Sequence, residues 1–401
     1  MKLLFITASG FDSFGGSNHL NIALIEDLLK KNHEVLLIQS QITNDSNIPK
    51  VLLDYSNFSF YSIQKRSTNK RKMFRRGFAE IKYYKSIIKY LNSNMGFELA
   101  YVQSSGMVSY FIPKLKKKLN IPIIFNIQDL FPDSLNILRK KYLLPIMWFF
   151  RLTQKRVYNI VDNIIVISDD IKNQLIKRKV DGRKITIAYN WYNDEEIYPV
   201  NINENKFCTK FNLEKNKFIV QYAGNLGYVL DYDFIIKVAS ILKDQKNIVF
   251  QIIGEGSNKS YLVDLCEKHQ LSNVEFFPIQ PLNIVRDVYS FADLCFIPLK
   301  KGVIYHSVPS KASLCLACST PVLLICDKES IYSNIIKDKK VGEVFSNEEY
   351  QNAANFILNL ANKNVDINYY KNNTTIVAKN NFSRYINTAI IVDVLEKSTF
   401  S

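Results

Sequence analysis

At 401 residues the chain is longer than one hydrophobic core comfortably fills and suits two domains of about 200 residues each. A hydrophobic content of 47% with 13% aromatics excludes a disordered polymer, and a net charge of +15 favours anionic partners such as phosphates or an anionic membrane face. No zinc finger, RNA-binding aromatic motif or basic helix with heptads occurs, so nucleic acid is not an expected partner.

The opening run MKLLFITASG carries one Lys and is too short before Asp12 for a leader; it reads as a first buried strand. Strands are predicted over 2–7, 34–39, 99–103, 121–126 and 163–168, with helical patterns over 18–32, 110–119 and 170–178 between them. The longest apolar stretch, 143–150, holds Pro145 and ends at Arg151, which is short of a membrane span. The pattern then restarts, with strands over 217–223, 248–253, 274–276, 294–297 and 321–325 and a helix over 233–243. Alternation of this kind calls for right-handed crossovers and parallel sheets covered on both faces. The expected fold class is therefore α/β, with two Rossmann-like doubly wound domains facing each other across a cleft. The domains are expected over 1–195 and 196–380, and a final helical segment over 381–401 is expected to cross back to the first.

Ligands of such sheets bind beyond the carboxyl ends of strands. Gly15, Gly16 and Ser17 follow the first strand and precede a helix, where a glycine loop and helix N-terminus can receive a phosphate. Asn225 and Gly227, in the run GNLG, repeat that arrangement at the start of the second series. A diphosphate held between the two loops explains both. Gly254, Glu255 and Gly256 end the next strand, and Gln280 lies in the loop after the one that follows; backbone groups there can read the edge of a base. In SVPSK, Ser307 and Ser310 precede Lys311, and Ser310 is placed to cap the helix. Lys311 in the first helical turn opposes the dipole unless an anion shares the site. Asp129 sits at a strand end beside Phe131, where a carboxylate can orient or deprotonate an acceptor hydroxyl, and Asp133 reads as a simple cap. Asp231–Tyr232–Asp233 forms a DxD, but it opens a helix, so Asp233 is read as an N-cap and no metal is expected. The six cysteines are scattered in apolar runs, as suits buried thiols in a reducing cytosol. Seven basic residues between Lys65 and Arg76, interleaved with Met73 and Phe74, form a segment suited to an anionic membrane surface.

Taken in order, FGG at Phe14 to Gly16, QDLFPDS at Gln128 to Ser134, and NW at Asn190 and Trp191 resemble the retaining GT-B glycosyltransferases of bacterial capsule and O-antigen synthesis. YAGNLG at Tyr222 to Gly227, IIGEG at Ile252 to Gly256, ADLCFIPL at Ala292 to Leu299 and VPSK with LACSTPV carry the same likeness. The resemblance implies transfer of a sugar from a UDP-sugar to a lipid-linked or saccharide acceptor, with retention of configuration. It implies no cofactor, since the nucleotide sugar is itself a substrate, and a cytoplasmic protein, peripheral on the inner face of the membrane. Asp129 and Lys311 would be the catalytic pair, Asp129 orienting the acceptor and Lys311 balancing the diphosphate. Relatives often carry Arg where this chain has Asn225, Lys at Leu230, and Glu at about His306 and Leu314. Two other readings of the same scaffold are a nucleotide-sugar epimerase and a catalytically silent subunit of a polysaccharide assembly complex.

Overall fold

A computed structural model describes residues 1–11, 18–42, 48–65, 73–133 and 144–399. The chain divides into two units, Met1–Tyr189 with Asn387–Ser401, and Asn190–Ile386.

The first unit is built on seven parallel strands: β1 (Lys2–Ile6), β2 (Glu34–Gln41), β3 (Phe58–Gln64), β4 (Leu99–Gln103), β5 (Ile123–Ile127), β6 (Asn163–Val166) and β7 (Ile185–Ile187). Their order is β3-β2-β1-β4-β5-β6-β7. The second unit repeats the plan with β8 (Phe218–Ala223), β9 (Ile248–Ile253), β10 (Val274–Phe277), β11 (Leu294–Pro298), β12 (Val322–Ile325) and β13 (Gly342–Phe345), ordered β10-β9-β8-β11-β12-β13. Both are doubly wound Rossmann-like sheets, as expected from the alternation of apolar runs and helices.

The central strands are buried along their whole length, for example LAYVQ in β4, IIFNI in β5 and IVFQII in β9. Helices cover both faces, so continuous Ile, Val and Leu runs replace the in–out alternation of a half-exposed sheet. Each such side chain contributes about 2 kcal/mol of apolar burial. Three strands escape the sequence reading, β3, β7 and β13, and all three lie at sheet edges. Helix ends follow local chemistry: Ser168 Oγ accepts the Ile171 N–H at the start of Asp169–Lys177, and Asn120 in the left-handed region ends Val108–Leu119.

The C-terminal helix Arg384–Ser398 packs on the first unit through Ile391, Val392 and Leu395. Glu396 meets His33 Nε2 at 2.9 Å, Ser398 Oγ accepts from Asn163 Nδ2 at 2.9 Å, and Asn387 Oδ1 accepts the Tyr189 N–H at 2.8 Å. The segments leaving and returning are themselves paired, with Tyr192 N–H on the Phe382 carbonyl at 3.0 Å and Arg384 N–H on the Tyr192 carbonyl at 3.1 Å.

Candidate active site

In the second unit the strand order reverses between β8 and β11, which are hydrogen-bonded neighbours with Leu294 opposite Val220. This is the point at which a doubly wound sheet opens a crevice for a ligand. The chain leaving β8 forms the loop 224–227, and the chain leaving β11 runs through 299–310 into the helix Lys311–Ala317. Lys311 lies directly against Gly224: a Cβ on that glycine would sit 2.5 Å from Lys311 Cε and 2.9 Å from its Nζ. The φ of +142° at Gly224, a backbone conformation that L side chains rarely adopt, is what calls for glycine there. The half-buried Lys311 ammonium lies 5.0 Å from the Tyr222 ring centroid. Among the described residues it has no carboxylate partner, and Glu255, beside the loop, is taken by Lys259 at 2.6 Å.

The loop itself is held from two sides. Gly224 N–H donates to the Ile253 carbonyl at 2.8 Å and Leu226 N–H to the Glu255 carbonyl at 2.9 Å. Three tyrosine hydroxyls hold alternate carbonyls: Tyr289 donates to Ala223 at 3.3 Å, Tyr222 to Asn225 at 2.7 Å and Tyr232 to Gly227 at 2.8 Å. Burial raises the phenols of Tyr289 and Tyr232 above their ordinary value, so both stay protonated donors. The N–H groups of Asn225 and Gly227 have no acceptor among the described residues. A fixed loop with two open N–H donors beside an unpaired ammonium is an arrangement that receives an anion. The sequence reading gives none of the three tyrosines a role, since only the fold brings Tyr289 to Ala223.

Gly254 and Gly256 back this loop. A Cβ on Gly254 would lie 1.9 Å from the Gly224 carbonyl oxygen, and one on Gly256 would lie 2.3 Å from that of Leu226. Gln280 is buried and spends its amide on the chain, with Nε2 donating to the Pro278 carbonyl at 2.6 Å and Oε1 accepting from Lys210 at 2.9 Å. Ser307 and Ser310 are half-buried on the approach to Lys311. Ser310 does not cap the helix as expected: its backbone is already helical and its side chain makes no cap bond, while its carbonyl accepts from Ser313 Oγ at 2.7 Å. The DxD also differs from expectation, because Asp231 and not Asp233 is the N-cap, accepting the Phe234 N–H at 3.1 Å. Its other oxygen accepts from Asn347 at 2.7 Å.

In the first unit Asp129 follows β5 and is exposed, with its carbonyl accepting the Phe131 N–H at 3.0 Å. Asp133 is not a simple cap but a buried carboxylate bridged by Arg151 at 2.6 Å and Arg178 at 2.8 Å. Gly15, Gly16 and Ser17 lie outside the described residues. The order of this sheet reverses between β1 and β4, where an unanticipated buried cluster sits. There Gln103 Oε1 accepts from Thr7 at 3.0 Å and from Asn21 at 3.1 Å, and Gln103 Nε2 returns a bond to Asn21 at 3.1 Å. The structure thus gathers Lys311, Asn225, Gly227, Gly254, Glu255 and Gly256 in the second unit and places Asp129 in the first.

The model of Glycosyltransferase Family 4 matches residues 14–196, and that of Glycosyl transferases group 1 matches residues 203–375. The Probable glycosyltransferase WbjE of Pseudomonas aeruginosa is 26% identical over 290 residues, 69% of each chain. The Putative colanic acid biosynthesis glycosyl transferase WcaI of Escherichia coli K12 is 27% identical over 158 residues, 39% of each chain. Among solved structures, Anabaena HepE in complex with UDP and glucose superposes with a TM-score of 0.75 at 13% identity, covering 99% of this chain and 100% of that one. That likeness shows the fold, a GT-B pair of Rossmann-like domains.

Proposed function

The chain belongs to the glycosyl transferases group 1, with a Glycosyltransferase Family 4 first half, and from that premise we propose its reaction. It moves a sugar from a UDP-sugar to a lipid-linked or saccharide acceptor in bacterial surface-polysaccharide synthesis, with retention at the anomeric carbon and without a metal. The second unit holds the nucleotide and the first the acceptor. WcaI, described as a putative colanic acid biosynthesis glycosyl transferase, supports the polysaccharide assignment, and the UDP complex of HepE supports the donor class.

One observation carries this reading: Lys311 lies against Gly224 at the reversal point of the sheet, next to the open N–H groups of Asn225 and Gly227. As the bond between the anomeric carbon and the diphosphate oxygen breaks, the electron pair leaves with the diphosphate. The Lys311 ammonium and the two N–H groups stabilise that charge where other transferases use a cation. The acceptor hydroxyl, oriented by Asp129, bonds to the anomeric carbon on the face the diphosphate leaves, and its proton passes to the departing diphosphate oxygen, so UDP is released with configuration retained. The acceptor's carrier lipid places the enzyme on the cytoplasmic face of the membrane. The basic run 65–76, of which 66–72 lie outside the described residues, suits that surface.

The test is Lys311→Ala. Loss of one well-placed stabilising group costs about 3 kcal/mol in the barrier, or roughly 100-fold in turnover. The melting temperature should be unchanged, because Lys311 carries no ion pair among the described residues. Unchanged turnover would remove Lys311 from the site.

A further inference from the structure

Three helices of the first unit make one layer. Met73–Tyr90 links β3 to β4, Val108–Leu119 links β4 to β5, and Leu144–Ile160 links β5 to β6. Each step moves the same way along the sheet, so right-handed crossovers put all three on one face. They pack side by side: Tyr84 stacks on Phe111 with centroids 4.5 Å apart, and Thr153 Oγ1 donates to Ser109 Oγ at 3.3 Å.

The outer surface of this layer is one-sided in charge. The helices carry five, four and three Lys or Arg respectively, against a single carboxylate, Glu80. Glu80 is buried and accepts the Met107 N–H at 3.0 Å. Apart from Arg76, Lys116 and Arg151, none of these cations has an acidic partner among the described residues. Phe78, Lys82, Lys85 and Lys89 recur at helical spacing as an exposed stripe. In the next helix Lys114 Nζ lies 3.5 Å from the Tyr110 ring centroid.

The third helix exposes apolar groups. Trp148 is 64% exposed and Phe149 59%, and Leu144 and Leu152 stand one turn to either side of Trp148, followed by exposed Lys155 and Arg156. A helix that served only the core would turn these side chains inward, as it does Met147, Val157 and Tyr158. A purely polyanionic partner would match the charge and leave the apolar stripe without purpose. A bilayer with anionic headgroups answers both, because Trp and Phe settle at the interface while lysines reach the phosphates.

We propose that the outer face of this three-helix layer docks on an anionic lipid bilayer, with Trp148, Phe149 and Leu152 entering the headgroup region and Lys82, Lys85 and Lys155 meeting lipid phosphates. It deepens the membrane side of the proposed function, on which it rests only for its biological purpose, and its test does not depend on donor binding.

The full chain is mixed with phosphatidylcholine vesicles with and without phosphatidylglycerol, at low and high salt, and followed by sedimentation and tryptophan emission. Of the two tryptophans, Trp191 is buried, so a vesicle-dependent blue shift reports Trp148. Binding should require phosphatidylglycerol and weaken with salt. Lys82→Gln with Lys85→Gln should lower partitioning by roughly fivefold per charge, about 25-fold for the pair. Trp148→Ala should abolish the blue shift and weaken binding. All variants lie at exposed positions and should keep the parent melting temperature and UDP affinity. Absence of binding to phosphatidylglycerol vesicles overturns the proposal, as does binding that these substitutions leave unchanged. Equal salt-sensitive binding to duplex DNA with no blue shift on vesicles would assign the face to a polyanion instead. Loss of UDP binding in the parent chain would count against the transferase reading while leaving the vesicle result to stand by itself.

Discussion

Gly256 is exposed, and a substitution at an ordinary surface position changes stability by no more than about 0.5 kcal/mol. The structure leads to a different expectation for Gly256→Ala. The added Cβ would lie 2.3, 2.5 and 2.6 Å from the carbonyl oxygen, carbonyl carbon and nitrogen of Leu226, all backbone atoms that no rotamer can move aside. Ordinary contact needs about 3.5 Å, so the 224–227 loop must recede by roughly 1 Å. Overpacking of this kind costs about 1–3 kcal/mol. The Leu226 N–H bond to Glu255 and the Asn258 N–H bond to Leu226 are strained with it, at about 1 kcal/mol each. A total of about 3–5 kcal/mol lowers the melting temperature by about 6–20 °C for a unit of this size. The same displacement misaligns the open N–H groups of Asn225 and Gly227, so UDP affinity should fall by at least about tenfold. Thermal melts and calorimetry with UDP on Gly256→Ala and its exposed neighbour Ser257→Ala make the comparison. If the two variants behave alike in both assays, the backbone contact between 256 and 226 has no energetic weight and the reasoning fails.

Tyr222→Phe removes the hydroxyl that holds the Asn225 carbonyl while keeping the ring beside Lys311. A loss of about 1 kcal/mol, or roughly fivefold in UDP affinity by calorimetry, is expected; an unaltered affinity would mean the phenol does not position the loop. All six cysteines are free and buried, and burial pushes Cys208 and Cys266 up to about 11 and Cys318 up to about 12. At pH 8 a thiol with a pKa of about 11 is thiolate in roughly one molecule per thousand. A disulfide reagent should therefore find no fast-reacting cysteine in the native chain and all six after denaturation.

The parts of the fold legible in the sequence were those with a single physical cause. β4, β5, β9, β11 and β12 are buried on both faces, and their unbroken apolar runs announce it. β3 is mostly exposed at a sheet edge, and FSFYSIQ offers neither a continuous apolar run nor a buried face to detect. β7, with three residues, is too short for any period to register. In the site, Gly224 was visible as a glycine after a strand and Lys311 as a cation in the first turn of a helix, although their contact was not. The tyrosine clamp was hidden because a Tyr in an apolar stretch reads as core, and Tyr289 acquires its role only when β8 and the helix Val285–Phe291 are brought together. Asp133 was misread for a related reason: its partners Arg151 and Arg178 come from later helical segments, which local capping rules do not see.

The C-terminal helix has a consequence for how the molecule can be taken apart. Because 387–399 belong to the first unit and 190–386 to the second, the second unit is an insertion held by two covalent tethers, laced together at Tyr192 and Phe382. A single proteolytic nick in either tether leaves the halves joined. Recombinant first unit ended at Tyr189 would expose the seat of Ile391, Val392 and Leu395 as a bare apolar trough, and would need the missing helix supplied as a peptide or by circular permutation to become a sound fragment.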